Sequence, residues 1–163
     1  MGATRTLSGA SLALVFLAAL GAGAQDNPRF AGSWTRAQPP LGSDESHVER
    51  ISLQGAALRI RLERRGSAGP MGYGFSDDRT YTIDGPAESK HDEEGRVRSV
   101  AVHWEGTSIV FVRTTIEGLN ATIEREVWGV SDDGNTLTRE RQTTDWRGTR
   151  SERVVLRRSA EQQ

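Results

Sequence analysis

From Phe30 to Arg158 the chain breaks into short segments that alternate apolar and polar residues, and none carries the apolar period of a helix. The segments run roughly over 30–36, 46–53, 58–65, 79–84, 87–90, 97–104, 109–116, 120–130, 136–144 and 149–158. Between them stand Gly55, Gly85-Pro86, Gly95, Gly106, Gly118, Asp133-Gly134 and Gly148, residue types that tight turns need. With no helix to cross over, successive strands must run antiparallel. The expected fold is all-β: an antiparallel up-and-down β-barrel of about 8–10 strands. Rolling the sheet shut would remove its exposed edges.

The turns also set the register. A turn at Gln54–Ala57 places Leu53 opposite Leu58, Ile51 opposite Ile60 and Glu49 opposite Leu62. A turn at Glu105–Ser108 aligns Trp104 with Ile109, Val102 with Phe111 and Val100 with Arg113. Turns at Asp132–Asn135 and Asp145–Gly148 align Val130 with Leu137, Trp128 with Arg139, Glu126 with Arg141, Leu137 with Leu156 and Arg141 with Glu152. All four hairpins then share one inner face, apolar near one end and charged further up. The apolar end, with Leu53, Leu58, Trp104, Ile109, Trp128, Val130, Leu137 and Leu156, is expected to be a packed floor. Above it, Glu49, Arg98, Arg113, Glu124, Glu126, Arg139, Arg141 and Glu152 are expected to form an inward ionic ladder, since buried charges persist only when paired or wet. Strand 122–130 is the weakest link, because Ile123 and Val127 fall on its outer face.

Residues 1–24 have the form of a cleavable export signal: Arg5, the apolar run Ser11–Leu20, and Ala22-Gly23-Ala24 before Gln25. Residues 25–163 then form a single domain. The expected location is the bacterial periplasm or the medium. The chain contains no cysteine, so no disulfide supports the fold. The formal net charge is −1, which marks out no basic surface for nucleic acid, and no stable membrane anchor is expected in the mature chain.

Gly32-Ser33-Trp34 resembles the Gly-x-Trp motif that opens lipocalins and related calycin-type barrels. The stretch from Trp128 to Thr138 is similar to a hairpin of small exported bacterial lipocalin-like proteins. Thr144-Asp145-Trp146, and Arg157 or Arg158, loosely echo two further lipocalin features, the second being an arginine packed over the motif tryptophan. The Tyr of the family's Thr-Asp-Tyr is replaced, and the long N-terminal extension and C-terminal helix are missing. The resemblance implies a barrel for a small hydrophobic or amphipathic ligand, and no particular one.

Catalytic chemistry is poorly represented. His91 lies in a charged turn and His103 on the outer face, while His47 falls on the inner face near the mouth. No histidine pair has the spacing of a zinc site, and no cofactor is expected. Glu124 and Glu126 point the same way on one strand, but Arg139 and Arg141 oppose any rise in their pKa. Three readings follow. In the first, the barrel binds an amphipathic ligand, with the tail on Val100, Val102, Trp104 and Phe111 and an anionic head on Arg139 and Arg141 beside Arg113 and Glu126. Met71, Tyr73 and Phe75, in the glycine-rich loop Arg65–Asp78, are expected either to form a lid or portal at the mouth or to tuck under the loop as a satellite cluster or cap. In the second, the barrel is solid and its loops engage a protein partner. In the third, His47 or the Glu124/Glu126 pair makes it an acid/base enzyme.

Overall fold

The computed structural model describes residues 27–37, 46–66 and 73–159; the expected leader, residues 1–24, and Met71 lie outside them. After a 3-10 turn at Pro28–Phe30 come β1 (Gly32–Arg36), β2 (Ser46–Gln54), β3 (Ala57–Gly66), β4 (Tyr73–Thr82) and β5 (Glu88–His91). They are followed by β6 (Val97–Glu105), β7 (Ser108–Glu117), β8 (Asn120–Val130), β9 (Thr136–Asp145) and β10 (Gly148–Arg158). All pair antiparallel in one sheet of order β4-β3-β2-β1-β10-β9-β8-β7-β6-β5, so β1 against β10 rolls the meander into a barrel. Each hairpin register expected from the turns holds, including Leu53 with Leu58, Trp104 with Ile109, Glu126 with Arg141 and Leu137 with Leu156. Ile123 is exposed and Glu126 is 2 % exposed, so the uncertain strand keeps its charged face inward.

Two features differ from expectation. The segment read as a glycine-rich lid loop is strand from Tyr73 onward, paired with β3 through Arg64–Phe75 and Gly66–Tyr73. Glycine weakens a strand only where nothing covers it. Here the Tyr73 ring lies so close over Gly66 that a Cβ on that glycine would collide with it. Nor does the sheet close completely. β4 and β5 are not paired, and the seam is drawn together only near the floor, by the Ile83–Val102 bridge and the Asp84 N–H bonded to the Val102 carbonyl (2.8 Å). Pro86 has no N–H to give, and β5 is four residues long, so little backbone is available to zip the seam.

The floor is dry and filled. Phe30, Trp34, Leu58, Ile109, Phe111, Leu137 and Leu156 are fully buried, with Ile51, Tyr81, Ile83, Val102 and Trp128 beside them. Burying each such side chain contributes about 1.5–3 kcal/mol. Arg158 lies over the Trp34 ring, 4.4 Å from its centroid. Its guanidinium donates to the carbonyls of Gly134 (2.7 Å), Ala31 (2.7 Å) and Arg29 (2.6 Å). The Trp34 indole in turn donates to the Phe30 carbonyl (2.9 Å). One arginine thus ties the amino-terminal turn, β10 and the β8–β9 turn to the motif tryptophan. Gly32, with φ 134°, is required at this point, because a Cβ would run into the Arg158 guanidinium.

Candidate functional site

Above the floor the inner face changes character within one or two residues of each strand. Glu49 on β2 is 4 % exposed and accepts from Arg139 on β9 and from His47, whose Nε2 lies 2.6 Å from its Oε1. On the neighbouring strands, Arg113 donates to Glu124 (2.6 Å) and Glu126 (2.7 Å). Arg141 is held more loosely, 3.5 Å from Glu126, 3.7 Å from Glu124 and 3.9 Å from Glu152. Burial works against the charge of Arg113, but Glu126 and then Glu124 outweigh it and its pKa lies above the ordinary value. Burial, with Arg141 and Arg36 as like charges, pushes Arg139 down to about 9, which still leaves it cationic at neutral pH.

These groups line a half-open chamber of about 250 Å³. Glu49, Asp77 and Glu126 line it as anions, against Arg64, Arg79, Arg113, Arg139 and Arg141 as cations. Ile60, Leu62, Tyr81 and Trp128 supply its apolar wall. The lining therefore has more cations than anions. Arg64 makes no ion pair among the described residues. Arg139 stacks on Trp128, 4.0 Å from the ring centroid. Both carry a buried donor, the Arg139 Nε–H and the Trp128 Nε1–H, with no hydrogen-bond acceptor among the described residues. An unsatisfied buried donor costs about 1–3 kcal/mol, more when charged. Both residues line the chamber.

The expected ligand residues separate into three groups. Arg139, Arg141, Arg113 and Glu126 meet at the chamber. Phe111 and Val102 are 0 % and 3 % exposed and belong to the floor, and half-buried Trp104 packs on Phe30 at 5.8 Å, so these three offer no free wall for a tail. Tyr73 and Phe75 lie on the inner face of β4 near the mouth, about half exposed, and are strand residues rather than parts of a loop lid. Sequence reading missed the Glu49–Arg139 pair, the Trp128 donor and Arg64, because β2 and β9 meet only once the barrel has rolled. A second cavity, about 600 Å³, opens along the seam between Arg79, Tyr81, Lys90, Arg98 and Arg113. His103 sits outside, 3.1 Å from Glu105, and no cluster of metal-binding side chains occurs among the described residues.

No protein-family model matches the chain, and no curated protein is similar to it in sequence. Solved structures do match its fold. The REP1-NXSQ fatty acid transporter superposes with a TM-score of 0.53 at 13% identity, over 81% of this chain and 97% of that one. Apo lipid binding protein 8 of Caenorhabditis elegans gives 0.55 at 12% identity, over 82% and 97%. Secretory abundant heat soluble protein 4 from Ramazzottius varieornatus gives 0.52 at 8% identity, over 81% and 96%. At these identities the likeness is one of fold, a lipocalin-like antiparallel up-and-down β-barrel.

Proposed function

We propose that this barrel is an exported binding protein for a small amphipathic molecule with an anionic head. The paired orphan donors of Arg139 and Trp128 carry this reading, and the excess of arginine around them sets the sign of the ligand charge. A carboxylate or phosphate oxygen would accept from both, with Arg141 and Arg64 as further donors. The pose is head-down, because the floor below is full. The chamber's volume of about 250 Å³ falls short of the roughly 300–1,000 Å³ of pockets that engulf a drug-sized molecule. The head and the first few carbons fit there, and the tail rises along Leu62 and Phe75 to the mouth. Two of the structural neighbours are named as a fatty acid transporter and a lipid binding protein, which agrees with such a ligand.

The test is displacement of anilinonaphthalene sulfonate by decanoate and by decanol. Decanoate should displace the dye saturably and decanol should be much weaker. Arg141→Ala, which removes a loosely paired and half-exposed arginine, should weaken decanoate about tenfold or more. Equal affinity of acid and alcohol, or an unchanged Arg141→Ala, refutes the anionic head.

A further inference from the structure

Every large apolar side chain that is exposed among the described residues lies at one end of the barrel. Tyr73 and Phe75 begin β4; Ile116, Leu119 and Ile123 surround the β7–β8 turn; Trp146 is in the β9–β10 turn. Leu119 is wholly exposed, and Trp146 is 74 % exposed with Arg147 stacked on it at 4.7 Å. Because neighbouring strands alternate in direction, these turns share the mouth end, opposite the floor turns at Gly55, Gly106 and Gly134.

The free cations are sorted the same way. Arg36, Arg64, Arg65, Lys90 and Arg147 make no ion pair or side-chain hydrogen bond among the described residues. Arg36 ends β1, Arg64 and Arg65 end β3, Lys90 is near the end of β5, and Arg147 is in the β9–β10 turn, all toward the mouth. Among the described residues, Glu93 and Glu117 are the carboxylates left unpaired at that end, since Asp92 is held by Arg96 (2.8 Å), Asp145 by Arg150 (2.8 Å) and Asp77 by Arg79 (2.6 Å). Among the described residues the free groups at that end are therefore more cationic than the chain's net charge of −1 suggests.

We infer that the mouth rim docks reversibly on an anionic lipid bilayer, with Leu119 and Trp146 entering the interface and Arg65 and Arg147 meeting lipid phosphates. The apolar groups stand on separate turn tips around an opening, with charge between them. A protein hot spot concentrates its anchors in one desolvated centre, whereas a membrane surface accepts separate tips and favours Trp and Arg at headgroup depth. Such docking is peripheral, so it needs no anchor helix. It stands on the rim alone, whatever the chamber holds.

The test uses the full chain with vesicles of brominated phosphatidylcholine, with and without phosphatidylglycerol. Bromine should quench a tryptophan component on mixed vesicles, and Trp146→Phe should remove that component, because Trp34 and Trp128 are buried and Trp104 packs on the floor. Leu119→Asp should lower partitioning about tenfold or more without moving the melting temperature. Arg65→Glu with Arg147→Glu should lower it severalfold on mixed vesicles and not on pure phosphatidylcholine. Three results would overturn the inference: no quenching, quenching that survives Trp146→Phe, or equal partitioning of Leu119→Asp and wild type. Equal binding to both vesicle types would remove the anionic lipid as partner.

Discussion

The lower and upper halves of the barrel interior are built from the same ten strands by opposite chemistry. Below, apolar side chains from Phe30, Leu58, Ile109, Leu137 and Leu156 fill the space, and the polar atoms of Trp34 and Arg158 are satisfied by carbonyls. Above, Glu49, Glu126, Arg113, Arg139 and Arg141 line a chamber, and two donors are left without an acceptor among the described residues. A buried ion pair contributes little net stability and is strongly destabilising only when one partner is removed. The floor therefore holds the fold, and the ionic tier adds little net stability, so under the proposed function its role is to bind.

This contrast can be broken most forcefully from below. Trp34→Ala removes a fully buried ring, its hydrogen bond and the seat of Arg158, and should cost about 3–5 kcal/mol in denaturant unfolding. A loss under about 1 kcal/mol would mean that the floor does not hold the barrel. Next in size is Glu49→Ala, which strands Arg139 and should cost about 3 kcal/mol. Replacing both partners, Glu49→Leu with Arg139→Met, should regain most of that stability while abolishing decanoate binding. That pairing of results separates the two halves, and a double variant that still binds would dissolve the distinction.

Weaker effects sharpen the picture at the rim. The Asp145 carboxylate is held below its ordinary pKa, first by Arg150 and then by the Arg147 backbone N–H. A depressed carboxylate stabilises the fold above its unfolded pKa, and that contribution is lost as pH falls through the lower, folded value. Acid should therefore loosen the β9–β10 turn, seen as faster amide exchange at Arg147, before Trp34 or Trp128 loses its fixed environment. Asp145→Asn should remove that pH dependence. The smallest effect is that of Leu119→Asp on stability, expected within about 0.5 kcal/mol of zero because the side chain buries nothing.

Most of the sheet was readable because its information is local. A turn glycine fixes a hairpin, and period-two alternation then assigns each residue a face, which is why Glu126 and Arg141 were placed inward together. The same parity decides between Arg157 and Arg158: Arg158 shares the face of Leu156 and reaches Trp34. What failed was non-local. The start of β4 at Tyr73 depends on a β3 that extends to Gly66 and on a ring covering that glycine, although Tyr73, Phe75 and Tyr81 already alternated. The Glu49–Arg139 pair joins strands that are not neighbours in the sheet, so no hairpin argument could reach it. The tail contacts expected of Val102 and Phe111 assumed a hollow floor, and volume is not written in a strand pattern.

The most direct test of the account watches the two orphan donors themselves. In nitrogen-15 spectra titrated with decanoate, the Trp128 indole N–H and the Arg139 Nε–H should shift together and saturate with the affinity measured by dye displacement. The buried Trp34 indole, already bonded to Phe30, should stay where it is. If decanoate binds while both chamber donors remain unmoved, the ionic tier is not the binding site and the central claim is wrong.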